Sequence, residues 1–336
     1  MEPAALIGHQ AVWQYLTHVY EAGRLGHAYL LSGPAHVGKA TLAQQMVARL
    51  LCTEAAAGQP ACDTCSACRQ VASRAHPDLC WLEPLADKAL VSIDQVRELI
   101  SFTQLTALGG RWRAVVIENV AQLTAEAANA LLKVLEEPPQ GVVFWLLDHH
   151  EGTLLGTLRS RCVPLALGLV PQLELQTALE RRGLAPAPAA EFARQSAGRP
   201  GLALSLLASE GALTRKYEVA RRLLELFRPG SWPALQRWYE SELAPLKGAG
   251  EAHLELPAVL AIWLEVARDL LLLRLGLSSA VRYQKLQGEL QLVAAQQTIA
   301  GARERCRMIG LALAKLAQNA NPRLTYEWLT VTLPRL

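Results

Sequence analysis

The chain has 336 residues, 51% hydrophobic and 19% charged. That is enough for about two domains at roughly 150 residues each, and too apolar for a disordered chain. A formal net charge of +3, from 33 basic and 30 acidic residues, excludes a bulk field for polyanions and leaves only local contacts. No uncharged apolar stretch approaches the ~18 residues that span a bilayer. The start, Met1-Glu2-Pro3, lacks the basic and apolar regions of a signal peptide. The expectation is a cytoplasmic globular protein, in which seven cysteines point to metal or catalysis before disulfides.

In chain order, Ala11 to Tyr20 carries Val12, Tyr15, Leu16 and Val19 at helical spacing. Ala28 to Leu31 is a short apolar run that ends at Ser32-Gly33-Pro34, a buried strand feeding a turn. Leu42, Met46 and Leu50 then mark a helix, and a Gly/Pro/Cys-rich interlude covers Thr53 to Pro84. Ile93 to Phe102 reads as a helix. Arg113 to Ile117 and Gly141 to Leu147 read as strands, with a helix from Thr124 to Glu136 between them. Thr124 is the expected N-cap of that helix and Pro138-Pro139 its stop. Strands alternating with helices predict a parallel sheet with covering helices. After about Pro164 the strand signal disappears: Pro171 to Arg182 and Pro188 to Gln195 are short helices, and only helices follow from Leu213. These shifts place boundaries near 166 and 209, giving a core over 1–165, a small helical segment over 166–208 and an all-α domain over 209–336.

Gly33-Pro34-Ala35-His36-Val37-Gly38-Lys39-Ala40 fits a P-loop with one departure. Backbone N–H groups and a helix N-terminus would cradle phosphates, and Lys39 would reach the β- and γ-phosphates. A chance glycine-rich turn is the bland alternative, but strand and helix flank the loop as required. The residue that should hold Mg²⁺ by a hydroxyl is Ala40; Thr41 comes one position late, rotated about 100° around the helix. The strand Val115-Val116-Ile117 ends in Glu118-Asn119, where a working ATPase offers an Asp to the metal and often a Glu to water. A solvated acid is the plain alternative for Glu118. Two weakened metal positions favour nucleotide (ATP or ADP) bound without hydrolysis, or no nucleotide at all.

Cys52-x9-Cys62-x2-Cys65-x2-Cys68 supplies four thiolates, which satisfy a closed tetrahedral structural Zn²⁺ site. Cys80 and His76 are possible substitute ligands. Cys162 and Cys306 read as ordinary buried thiols. Arg161, in Ser160-Arg161-Cys162, is either a surface ion-pair partner or an arginine finger offered to a neighbour's ATP.

Ile7-Gly8-His9-Gln10, His27 to Pro34, Asn129 to Pro139 and Ser160-Arg161-Cys162 together resemble the AAA+ clamp-loader subunits of bacterial DNA polymerase III. The likeness is dense over residues 6–165 and thin beyond, where Asn319-x-Asn321-Pro322-Arg323-Leu324 with Glu327 still looks like the family's last helix. The resemblance implies an AAA+ P-loop core with a zinc module at 52–68, a lid at 166–208 and a collar at 209–336. It implies an arc of five subunits that opens the beta sliding clamp and places it on primed DNA. The partners would be gamma/tau and delta subunits. Within the family the departures favour the delta-prime type, which would not hydrolyse ATP, over the hydrolysing gamma/tau type. Position 40 lacks Thr or Ser, position 118 lacks Asp, and the fourth strand ends in Asp148-His149-His150. Alignment on Gly198 and Ala203-Leu204 puts the lid's sensing arginine on Gly201, with Arg199 two residues early. Arg161 is kept, and on this likeness it acts in trans.

Other classes are weaker fits: a zinc-dependent nucleic-acid-binding module, or a P-loop nucleotide kinase, which needs no trans arginine and no collar. Arg303, Arg305 and Arg307 form a basic run on a helix and are expected to be a solvated face, as are Arg221 and Arg222. Trp232, Trp238 and Trp263 are expected at a subunit interface or in the core.

Overall fold

The computed structural model describes residues 6–55, 59–85, 88, 90–109, 112–149, 156–226, 237, 240, 256–318 and 320–333. His150, Trp232, Trp238 and Asn319 lie outside them. The chain folds as two compact units, Met1–Ser205 and Leu206–Leu336.

The first unit is built on a five-stranded parallel sheet of β1 (Ala28–Ser32), β2 (Leu79–Leu82), β3 (Arg113–Ile117), β4 (Val142–Asp148) and β5 (Val163–Ala166), in the order β2-β3-β4-β1-β5. The three central strands are apolar on both faces because helices cover both. On one face α1 (Gln10–Glu21) and α2 (Lys39–Leu51) bury Leu16, Leu42 and Met46 against Trp145 and Leu147. On the other, α4 (Ile93–Gln104) and α5 (Ala125–Glu136) bury Leu99 and Leu131 against Phe144 and Leu146. Thr124 caps α5 by accepting the Ala127 N–H, as its position predicts.

Four elements, α3 (Ser66–Ala72), β2, β5 and α9 (Pro200–Ala208), go beyond the sequence expectation. The interlude 53–84 contains α3 as well as β2. The strand pattern does not end at Pro164: β5 pairs with β1 alone, and an edge strand tolerates a proline that donates no hydrogen bond. Next, α7 (Gln172–Glu180), α8 (Pro186–Gln195) and α9 (Pro200–Ala208) follow a four-residue turn of helix, α6 (Gly156–Arg159). Leu175, Leu179, Ala189, Ala193 and Ala203 gather there into a small core of their own with Ile7 and Val170.

The described part of the second unit is helical, beginning with α10 (Ala212–Leu226) and continuing through helices at Leu256–Arg274, Gln287–Ala295, Ile299–Ala317 and Pro322–Thr332. Trp263 and Tyr283, both fully buried, centre its core, so Trp263 is a core residue rather than an interface one. Glu265 ties the unit together, reaching Lys216 at 2.9 Å, Arg282 at 2.6 Å and the Tyr283 hydroxyl at 2.7 Å. Arg305 corrects the reading of the basic run: it is only 2% exposed, turned inward on its helix. Arg307 pairs with Glu304, Arg221 with Glu289 and Arg222 with Glu225 on the exterior.

Candidate functional site: two ends of one helix

The P-loop joins β1 to α2 at the carboxyl end of the sheet, where parallel sheets place their ligands. Gly33, at φ +147, runs so close to the backbone that a Cβ would sit 2.1 Å from the Leu167 carbonyl oxygen. Gly38, at φ +111, opens α2. His9 steadies the loop from outside, its Nε2 donating to the Val37 carbonyl at 2.9 Å.

A cavity of about 310 Å³ adjoins the loop, lined by Gly38, Lys39, Thr41, Glu118, His149 and Gly201 among others. Thr41 borders the cavity together with Ala40. Lys39, Glu118 and Gly201 are engaged by the protein itself. Lys39 is 3% exposed, and its ammonium donates to the Gly33 and Pro34 carbonyls at 2.6 and 2.7 Å. Burial pushes its pKa down to about 8, partly offset by the nearby charge of Asp148.

Glu118 is held in the same way. Its Oε2 accepts the Trp81 indole N–H at 2.8 Å and pairs with Arg74 at 3.2 Å. Arg74 also reaches Glu83 at 3.1 Å and lies over the Trp81 ring at 4.0 Å. The strand-end acid thus braces the residues that follow α3.

The helix α9 closes on the loop from the other side. The Gly201 N–H donates to the His36 carbonyl at 2.8 Å. A Cβ at 201 would meet that oxygen at 3.0 Å and the His36 Cα and Cβ at 3.3 Å. The position aligned with a sensing arginine is therefore packed against the loop with little room for a side chain. Burial, with the charges of Arg199 and Lys39, holds His36 below its ordinary pKa.

The opposite end of α2 presents the cysteines. Cys52 is its C-cap and Cys65 the N-cap of α3, so two helix ends and the turn between them bring four thiols together. The Sγ atoms of Cys52, Cys62, Cys65 and Cys68 all lie within 4.8 Å of one another. Separations of 3.6 Å (Cys52–Cys62) and 3.9 Å (Cys52–Cys65 and Cys62–Cys68) match the ~3.8 Å between thiolates set tetrahedrally at ~2.3 Å around zinc. Backbone N–H groups of Cys62, Cys65 and Cys68 point at the sulfurs of Cys52, Cys62 and Cys65. Burial raises the Cys65 thiol, but hydrogen bonds from the Cys68 and Thr53 backbone overcome this and bring it to about 6; burial drives Cys68 up. This cluster can hold a metal ion. The substitute ligands lie elsewhere: Cys80 packs into the sheet core, and the His76 Nδ1 accepts the Asp78 N–H.

Arg161 stands apart from both ends, just after α6. It is half-buried and donates to the Thr157 carbonyl at 3.0 Å and the Ser160 hydroxyl at 3.3 Å. It also forms an ion pair with Glu136, the last residue of α5. Spacing along the chain carried no signal for Glu136 as the partner of Arg161, or for Trp81 and Arg74 as partners of Glu118.

Residues 8–170 match a family model described as DNA polymerase III, delta subunit. The delta-prime subunit of DNA polymerase III from Pseudomonas aeruginosa is 38% identical over 238 residues, 68% of this chain and 70% of that protein. Its Escherichia coli K12 counterpart is 34% identical over 236 residues, 70% of each. Among solved structures, a gamma subunit-related protein of DNA polymerase III from Thermotoga maritima superposes with a TM-score of 0.51 at 16% identity. That superposition covers 95% of this chain and 97% of the other, a likeness of fold.

Proposed function

The chain belongs to the delta-prime family of bacterial DNA polymerase III clamp-loader subunits, and from that premise we propose that it serves a neighbour's ATP site with Arg161 and does not turn over ATP itself. One asymmetry carries the reading. The groups that would close around a γ-phosphate in cis are turned onto the protein: Lys39 onto loop carbonyls, Glu118 onto Trp81 and Arg74, and Gly201 onto His36. Arg161 is paired with Glu136 at a partly exposed position, where a phosphate carrying more negative charge can compete for it.

In this reading the chain assembles with gamma/tau and delta subunits into an arc of five in the cytoplasm, its domains being the AAA+ core at 1–165, the lid at 166–208 and the collar at 209–336. The assembly opens the beta sliding clamp and sets it on primed DNA. Arg161 stabilises charge on the γ-phosphate of an adjacent gamma/tau subunit, a contribution worth about 10³-fold or more at the site a finger serves. Zinc is the metal of Cys52, Cys62, Cys65 and Cys68, since four thiolates leave no open coordination position and suit a structural site.

The test is a reconstituted complex carrying Arg161→Ala. Assembly and folding should stay intact, while DNA-stimulated ATP hydrolysis falls several-fold, the remaining sites keeping their own arginines. An unchanged rate at saturating clamp and primed DNA sinks the proposal. The place of Thr41 on the cavity wall favours a second reading, a gamma/tau-type subunit that hydrolyses ATP; turnover by the isolated chain separates the two.

A further inference from the structure

Glu136 sits where an acid is disfavoured. It ends α5, with Glu137 beside it as the C-cap, at the negative end of the helix dipole. Lys133 lies in the same last turn, but the cation that pairs with Glu136 is Arg161, 25 residues later, whose guanidinium reaches the Glu136 carboxylate with one nitrogen and the Thr157 carbonyl with the other. The side chains are 50% and 32% exposed, so solvent screens the pair and it can be broken. Both residues lie within the first unit, so this chain forms the pair from its own residues.

We propose that Glu136 is a positioning residue for the trans arginine: it holds Arg161 on the chain's own surface while the neighbouring site offers no phosphate, and releases it when one is presented. The inference rests on the trans-arginine reading. A guanidinium exchanges one carboxylate for a phosphate readily, because the phosphate brings more charge and several acceptor oxygens in matching geometry. The Thr157 carbonyl and Ser160 hydroxyl keep the arginine aimed during the exchange, which leaves Glu136 as the group that must be displaced. The effect is a threshold, with the arginine withheld from an unassembled or poorly closed interface.

The experiment compares ATP hydrolysis by the complete reconstituted complex, with and without clamp and primed DNA, for the wild-type chain and for Glu136→Gln, Arg161→Ala and the double variant. Melting curves establish that each variant folds, and Glu136→Asp serves as the milder change. Weakening an exposed pair of this kind should raise the unstimulated rate roughly two- to five-fold and leave the stimulated rate within two-fold. The rise should shrink as salt increases and disappear in the Arg161→Ala background, which a merely structural role for Glu136 would not produce. An unchanged unstimulated rate, a fall in both rates, or a Glu136→Gln effect that persists without Arg161 overturns the inference. If Arg161→Ala itself leaves the stimulated rate unchanged, the underlying reading fails instead.

Discussion

One helix carries a candidate site at each end, and the two ends have met opposite fates. At the C-terminus of α2, Cys52 joins three other thiols whose sulfurs converge within 4.8 Å, with backbone N–H groups directed at them. At the N-terminus, Lys39 and the loop it should serve satisfy each other. Both ends keep most of the residue types their chemistry needs. They differ in whether those donors converge on a common point or are committed to protein partners, and that distinction decides what a degenerate motif can still do.

The largest effect should come from the cysteine end. Cys65→Ser, or prolonged chelation, should take the zinc content from near one per chain to none and expose the segment 52–75 to proteolysis. Structural zinc supplies on the order of 10 kcal/mol in isolated modules; in this chain Ala67, Cys68 and Val71 of α3 are buried as well. Chelator-free protein without metal would erase the contrast between the two ends.

Gly201→Arg probes the other end. Its Cβ would press on His36, so the variant should lose about 1–3 kcal/mol, as overpacked positions do, with faster amide exchange in the P-loop and α9. Wild-type stability would mean that the loop and α9 are not locked together.

Lys39→Met should show an effect of similar or smaller size that depends on pH. The ammonium is disfavoured in the fold, with a pKa of about 8 against an ordinary 10.5. Between these values the unfolded chain binds more protons, so stability from this group rises with pH; below 8 the burial penalty is complete. The stability of the wild type relative to Lys39→Met should therefore climb from pH 8 to 10.5, by at most ~3 kcal/mol. A difference flat in pH would show that Lys39 is not held as described.

Much of this was legible in the residues. The β3 and β4 strands are continuous apolar runs, Thr124 announces α5, and the cysteine spacing announces a ligand set. The missing parts share a physical cause. β2 and β5 have four residues each, too short for a periodic signal, and β5 contains a proline that only an edge position excuses. The fate of Glu118 depends on Trp81 and Arg74, 37 and 44 residues away along the chain. Residue type alone groups Arg305 with its charged neighbours, whereas its position on the helix leaves it 2% exposed. Motif types are local and readable; the commitments between them are made by tertiary packing.

The N-terminal end of α2 is turned inward, its Lys39 ammonium held on the Gly33 and Pro34 carbonyls. Equilibrium titration of the pure chain with ATP, with and without Mg²⁺, followed by a turnover assay on the same sample, tests it most directly. No hydrolysis and no Mg²⁺-dependent gain in affinity are expected. Steady turnover abolished by Lys39→Ala would contradict this.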